Sequence, residues 1–209
     1  MIRLRIVGDG ERDAATVPML VEGILGGDFA RETSPWPRLH RREKKVKGYK
    51  LSGHGQKLIY ALTQARQRRF DGVVATVDAD GPKRGEKLSQ LKLARDADRS
   101  RAAPLPTALG EAVPHNEAWL LDDEKAVRTA LGLPPDTPVP TVRPAAYQKT
   151  ELEALHRSSP RCNEPPLEVW AQIAAHVHEE RCNHRKDTGF EAFAAEVRSE
   201  IGPLFTRTA

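Results

Sequence analysis

Polar and apolar positions alternate at the start of the chain, with Ile2, Leu4 and Ile6 set against Arg3 and Arg5. This period of two predicts a strand over residues 2–7 with one buried face. Ala14, Val17, Leu20, Val21, Ile24 and Leu25 then recur at helical spacing up to Gly26-Gly27. Pro18 inside that pattern implies a helix that starts late or kinks. From Asp28 to Lys50 the pattern is poor, and a short strand at 46–51 is the one element it offers. Ser52-Gly53-His54-Gly55 reads as a turn before a helix bearing Leu58, Ile59, Leu62 and Ala65. Residues 73–77 form a short run rich in β-branched side chains, as a buried parallel strand does. A helix over roughly 85–101 and a strand over 107–113 follow, and a helical region opens at Glu117 and runs to Gly132.

The alternation of strands and helices up to residue 113 predicts an α/β fold, a parallel sheet flanked by helices. Prolines crowd residues 133–144, and behind them the pattern is purely helical. Helices are expected near 149–157, over 165–181 and over 189–201, the last opened by a capping box of Thr188 and Glu191. The expected division is an α/β domain over 1–132, then a proline-rich linker and helical C-terminal extension over 133–209.

At 209 residues, 39% hydrophobic and 30% charged, the chain has enough material for one substantial core. No apolar stretch approaches a membrane span and no signal-peptide core stands at the N-terminus, so the expected location is cytoplasmic. Cys162 and Cys182 give no disulfide framework. His176, His178 and His184 with the cysteines lack the paired spacing of a structural zinc site, and Cys182 reads as a small buried residue.

The chemistry gathers at strand ends. The 73–77 strand runs into Asp78-Ala79-Asp80, and alternation sends both carboxylates to one side. In open parallel sheets ligands collect outside the carboxyl ends of the strands. Two acids there suit a hard divalent ion such as Mg²⁺, although the same residues would serve a loop that merely caps the next helix. The first strand ends in Gly8-Asp9-Gly10, with Glu11 and Asp13 close behind. The net charge is only +4, yet Arg41, Arg42, Lys44, Lys45 and Lys47 crowd one short stretch, with His54 after it and Lys83 just beyond the aspartates. Phosphate backbones are the usual partner of such a footprint; a solvated loop is the plainer alternative.

The order VGDGERD, GHGQKL, VDADG and HNEAWLLDD resembles the TOPRIM domain. It is similar in particular to small stand-alone bacterial TOPRIM-like proteins related to nucleases of the overcoming-lysogenisation-defect type. The likeness covers roughly residues 1–132. It implies a Mg²⁺- or Mn²⁺-dependent nuclease acting on DNA or RNA, with a role in phage defence and an ATPase partner. It also implies the residue roles. Asp9 falls where the family's first-strand glutamate is expected, one methylene shorter, with Glu11 as a stand-in. Asp13 matches a further acid of that turn, Asp78 and Asp80 match the D-x-D, and Glu117 belongs to the E-A-W-L-L signature. Catalysis would rest on Asp9, Glu11, Asp78, Asp80 and Lys83, and the ion on Asp9, Asp13, Asp78, Asp80 and Glu117. Nucleic acid would lie on Arg41, Arg42, Lys44, Lys45, Lys47 and His54. The alternative is a catalytically inactive module that binds nucleic acid or a partner protein.

Overall fold

The computed structural model describes residues 1–39, 51, 53–79, 85–142 and 148–206. Its frame is β1 (Arg3–Gly8), α1 (Glu11–Leu25), β2 (Ala30–Pro35), α2 (Gly53–Gln67), β3 (Gly72–Asp78), α3 (Glu86–Arg99) and β4 (Thr107–Ala112). The strands lie in the order β2-β1-β3-β4 and every pairing is parallel. The fold is therefore α/β, a four-stranded parallel sheet flanked by helices. Among the described residues no helix is long and apolar enough to cross a membrane.

Strand alternation divides the core in two. Leu4 and Ile6 of β1 and Val74 of β3 face α1, whereas Val7, Val73, Ala75 and Val77 face α2 and α3. The chain thus leaves β1 over one face and β3 over the other. These two strands are neighbours, so a crevice opens between their carboxyl ends, where ligands of open parallel sheets gather.

After β4 come α4 (Glu117–Leu121), α5 (Glu124–Leu131), α6 (Gln148–Ser158), α7 (Pro166–His176) and α8 (Phe190–Glu196). A π-helical turn, Val197–Ile201, leads into α9 (Gly202–Thr206). Their apolar residues join the α1 face of the sheet in a single cluster. Trp119 of α4 stacks on Phe193 of α8 at 4.9 Å, and Trp170 and Ile173 of α7 lie in the same core. Helix α7 packs against both α1 and α5.

Several expectations change. Strand β2 lies at 30–35, where the pattern was poor, because an edge strand of sequence ARETSP keeps most of its residues only partly buried. The short strand expected at 46–51 falls mostly outside the described residues. Helix α1 does not start late: it begins at Glu11 and continues through Pro18, which is buried within it. The helix expected over 165–181 stops at His176, where Val177 turns extended, and a 3-10 turn at Glu179–Arg181 follows. The Thr188/Glu191 capping box does not form. Helix α8 is capped by Gly189 in the left-handed region (φ 80°), and buried Thr188 instead accepts the Val113 N–H and Trp119 Nε1–H on its carbonyl.

Candidate active site

Three chain segments meet at the carboxyl ends of β1 and β3. Asp9 follows β1, and its Oδ2 accepts the Asp78 N–H at 2.9 Å, tying the two strand ends together. The same oxygen takes Lys87 Nζ at 3.1 Å, and Lys87 also donates to the Asp78 carbonyl at 2.9 Å. His54, in the first turn of α2, places Nε2 3.6 Å from Asp9 Oδ1. Its ring meets Trp36 edge-on, and Trp36 is anchored by Nε1–H donation to the Thr76 carbonyl. Alternation explains the arrangement. Asp9 shares the parity of Val7, so it faces α2 and α3, the helices that carry His54 and Lys87.

Gly8 and Asp78 have the opposite parity and face α1. Asp13, in the first turn of α1, reaches back so that its Oδ2 accepts the Asp9 N–H at 2.7 Å. A β-carbon on Gly8 would stand 2.4 Å from the Asp13 β-carbon and 2.6 Å from its Oδ2, so only glycine admits Asp13 here. Gly8→Ala is accordingly expected to displace Asp13. It should cost about 1–3 kcal/mol in urea denaturation and lower any activity of the site about 10²-fold. Parental stability and rate in that variant would remove Asp13 from the site.

Asp78 Oδ1 accepts the Asn116 N–H at 3.2 Å, which joins the turn after β4 to the cluster. Glu117 follows on α4, buried and paired with Arg12, whose other terminal nitrogen pairs with Glu153 of α6. Asp9, Glu11, Asp13, Asp78 and Glu117 line a cavity of about 470 Å³. Its remaining polar lining is Arg12, His115 and Lys149.

The carboxyls differ sharply in proton affinity. Burial alone would raise Asp9, but His54, the Asp78 N–H and Lys87 outweigh it and hold the group at about 2. Asp13 is pushed up to about 7, chiefly by burial, with the negative charges of Asp9 and Glu117 adding to it. Asp78 goes up to about 8, again chiefly by burial, then by the charges of Asp13, Asp9 and Glu117. Neutral donors and the few nearby cations leave this cluster short of positive charge.

Of the residues predicted for the site, Asp9, Glu11, Asp13, Asp78 and Glu117 converge, and His54 touches the cluster from its α2 side. Asp80, Lys83, Arg41, Arg42, Lys44, Lys45 and Lys47 lie outside the described residues. Lys87 counts by sequence only as one cation of the basic run after the aspartates, His115 and Asn116 stand in the HNEAWLLDD stretch without an assigned role, and Arg12 and Lys149 carry no signal. Charges on helices read as solvated faces, and only the register of β1 against β3 shows where Arg12 and Lys87 point. Among the described residues no group of three or more His, Cys, Asp or Glu side chains is arranged to hold a metal ion. The oxygens are turned toward protein donors instead: Asp9 to Lys87, Asp13 to the Asp9 N–H, Glu117 to Arg12. The donor set is nevertheless all oxygen, buried and crowded with like charge, which suits a hard divalent cation. The histidines near Cys182 also form no such group; Cys182 is buried and its thiol is pushed up to about 12, chiefly by burial.

Compared with known proteins, the chain matches no family model, no curated protein and no solved structure.

Proposed function

We propose that the chain is a divalent-metal-dependent nuclease of the TOPRIM type, hydrolysing phosphodiesters of DNA or RNA. The observation that carries the reading is the meeting of the Asp9 turn with Asp78 between two adjacent parallel strands, at the mouth of an acid-lined cavity. Asp13, Asp78 and Glu117, with Asp80 beside them in sequence, would hold Mg²⁺ or Mn²⁺. Such an ion neutralises charge developing on a phosphoryl group and lowers the pKa of a bound water.

The remaining residues divide the other tasks. Asp9 stays ionised, bound to Lys87 and the Asp78 N–H, so it serves as an anchor and a fixed negative charge and is a poor base. Glu11 lines the cavity from the first turn of α1 and makes no hydrogen bond or ion pair among the described residues. It is the carboxylate left to take a proton from water. The basic stretch of Arg41, Arg42, Lys44, Lys45 and Lys47, with Lys83, would track the substrate backbone. An ATPase partner and a place in phage defence extend the same family likeness.

The second reading is a catalytically inactive module that binds nucleic acid or a partner protein. It is favoured by the engagement of the acids with protein donors, Asp9 with Lys87, Asp13 with the Asp9 N–H and Glu117 with Arg12. Incubation with supercoiled plasmid, single-stranded DNA and RNA, in Mg²⁺, Mn²⁺ or EDTA, separates the two. The nuclease reading expects metal-dependent cutting that an Asp78→Ala/Asp80→Ala variant loses. Retention of every substrate intact, with binding preserved, would leave the module.

A further inference from the structure

Helix α6, from the C-terminal part of the chain, is a wall of the acid-lined cavity. Arg12 spans the gap, one terminal nitrogen on buried Glu117 and the other on Glu153 of α6. Lys149 and Glu153 are four residues apart on α6 and therefore share a helix face. A Glu153 that faces Arg12 thus turns Lys149 toward the same side, and Lys149 lines the cavity together with Asp13, Asp78 and Glu117.

The charges there are not equivalent. Arg12 is engaged by two carboxylates and Lys87 by Asp9. Lys149 also lines the cavity and is exposed, and among the described residues its ammonium makes no hydrogen bond or close ion pair, only a longer-range attraction to Glu153 one turn along. An ammonium on a flexible four-carbon stem is a point charge that can follow an incoming anion. A phosphate entering a cavity walled by carboxylates needs such a charge on its outer side, since the acids repel it on the inner one.

We propose that Lys149 is a substrate-phosphate contact of this cavity, carried into place by α6 and aimed by the Arg12–Glu153 pair. The identity of the anion rests on the nuclease reading; the placement of the cation does not. The C-terminal helices then belong to the substrate site, and a chain ending at residue 132 would lack part of it.

The test is the salt dependence of binding to a fluorescein-labelled phosphorothioate single-stranded DNA. Anisotropy is read across a KCl series, in MgCl₂ and again in EDTA. Each phosphate neutralised on a single strand adds about 0.7 to the slope of log K against log salt. Lys149→Ala is expected to reduce the slope by about 0.7 and weaken binding several-fold, with an unchanged melting temperature. Lys149→Arg should keep the parental slope, as should Lys125→Ala on the exposed side of α5. A parental slope in Lys149→Ala, in both buffers, would overturn the proposal, and so would failure of the parent protein to bind the probe. A Lys149-dependent slope in a protein that cuts nothing would uphold the contact and discard the nuclease.

Discussion

Asp78→Asn is expected to be at least about 10²-fold less active than the parent in metal-dependent cleavage, and more stable than the parent at pH 8 without metal. The two effects have one cause. Asp78 is a buried carboxyl beside Asp9, Asp13 and Glu117, and ionising it sets a fourth negative charge among them. The backbone N–H of Asn116 offsets only part of this. An acid whose folded-state pKa lies at about 8, against about 4 unfolded, is protonated in the fold while the unfolded chain is already ionised. The unfolded state then binds fewer protons, so stability falls as pH rises through that window. The penalty is absent below about pH 4 and complete above about pH 8. Asparagine has no charge to lose, so its advantage should grow over the same range, toward a ceiling of about 5 kcal/mol set by the separation of the two pKa values, with the melting temperature following at about 2–4 °C per kcal/mol. Melting curves at pH 4.5, 6 and 8 in EDTA read it directly. Added Mg²⁺ should raise the parent more than Asp78→Asn, most of all at pH 8. A variant less stable than the parent at pH 8 would mean that Asp78 is held by favourable contacts and not by crowding.

Asp9→Asn should behave in the opposite sense. Its carboxyl lies at about 2, bound by Lys87, the Asp78 N–H and the nearby His54. A group depressed in this way adds stability above its unfolded value that is lost as pH falls toward 2. Two aspartates at the same mouth thus have opposite signs, one an anchor and one a strained acid. Such separation of proton affinities is common where carboxylates divide chemical roles.

The strands that carry the chemistry were legible because both neighbours of the crevice are buried. Residues 2–6 alternate cleanly and 73–77 are β-branched but for Ala75 and buried throughout, so the turn residues after them stand out. Strand β2 was not legible, since an edge strand with polar side chains carries no period that a burial pattern could impose. The end of α7 was equally hidden. Its helical spacing continues through Val177, and the stop is set by contacts from a carboxylate far away in the chain. Arg12 and Lys149 are ordinary helix-surface charges by sequence, and Lys87 is one cation of the basic run after the aspartates. The parity of Gly8 and Asp9, which sends Asp13 to one face and Lys87 to the other, is what makes them members of the site.

That distant carboxylate is Asp123, and Asp123→Ala should be among the most destabilising single changes in the C-terminal half. Asp123 is fully buried and caps α5 by accepting the Ala126 N–H on Oδ1. Its Oδ2 accepts the His178 N–H at 2.9 Å and Arg181 Nε–H at 2.8 Å. The turn after α7 is therefore pinned to the start of α5, while the neighbouring Asp122 holds the His184 N–H at 2.9 Å. Removing the carboxylate leaves the buried Ala126 N–H, the part-buried His178 N–H and the Arg181 guanidinium without this acceptor. Loss of one partner from such a set costs about 3 kcal/mol, or roughly 6–12 °C in melting temperature. The damage should begin locally, because segment 177–188 owes its path to these bonds more than to its own helical pattern. Cys182 reports on it: the thiol is buried in the fold, whereas Cys162 is exposed. At pH 8 a thiol reagent should modify one cysteine quickly in the parent and two in Asp123→Ala, well below the melting temperature. Asp123→Asn, which keeps an acceptor without the charge, should fall between them. A single reactive thiol and an unchanged melting temperature would show that apolar packing of α7 and α8, and not the buried aspartate, holds the C-terminal helices to the sheet.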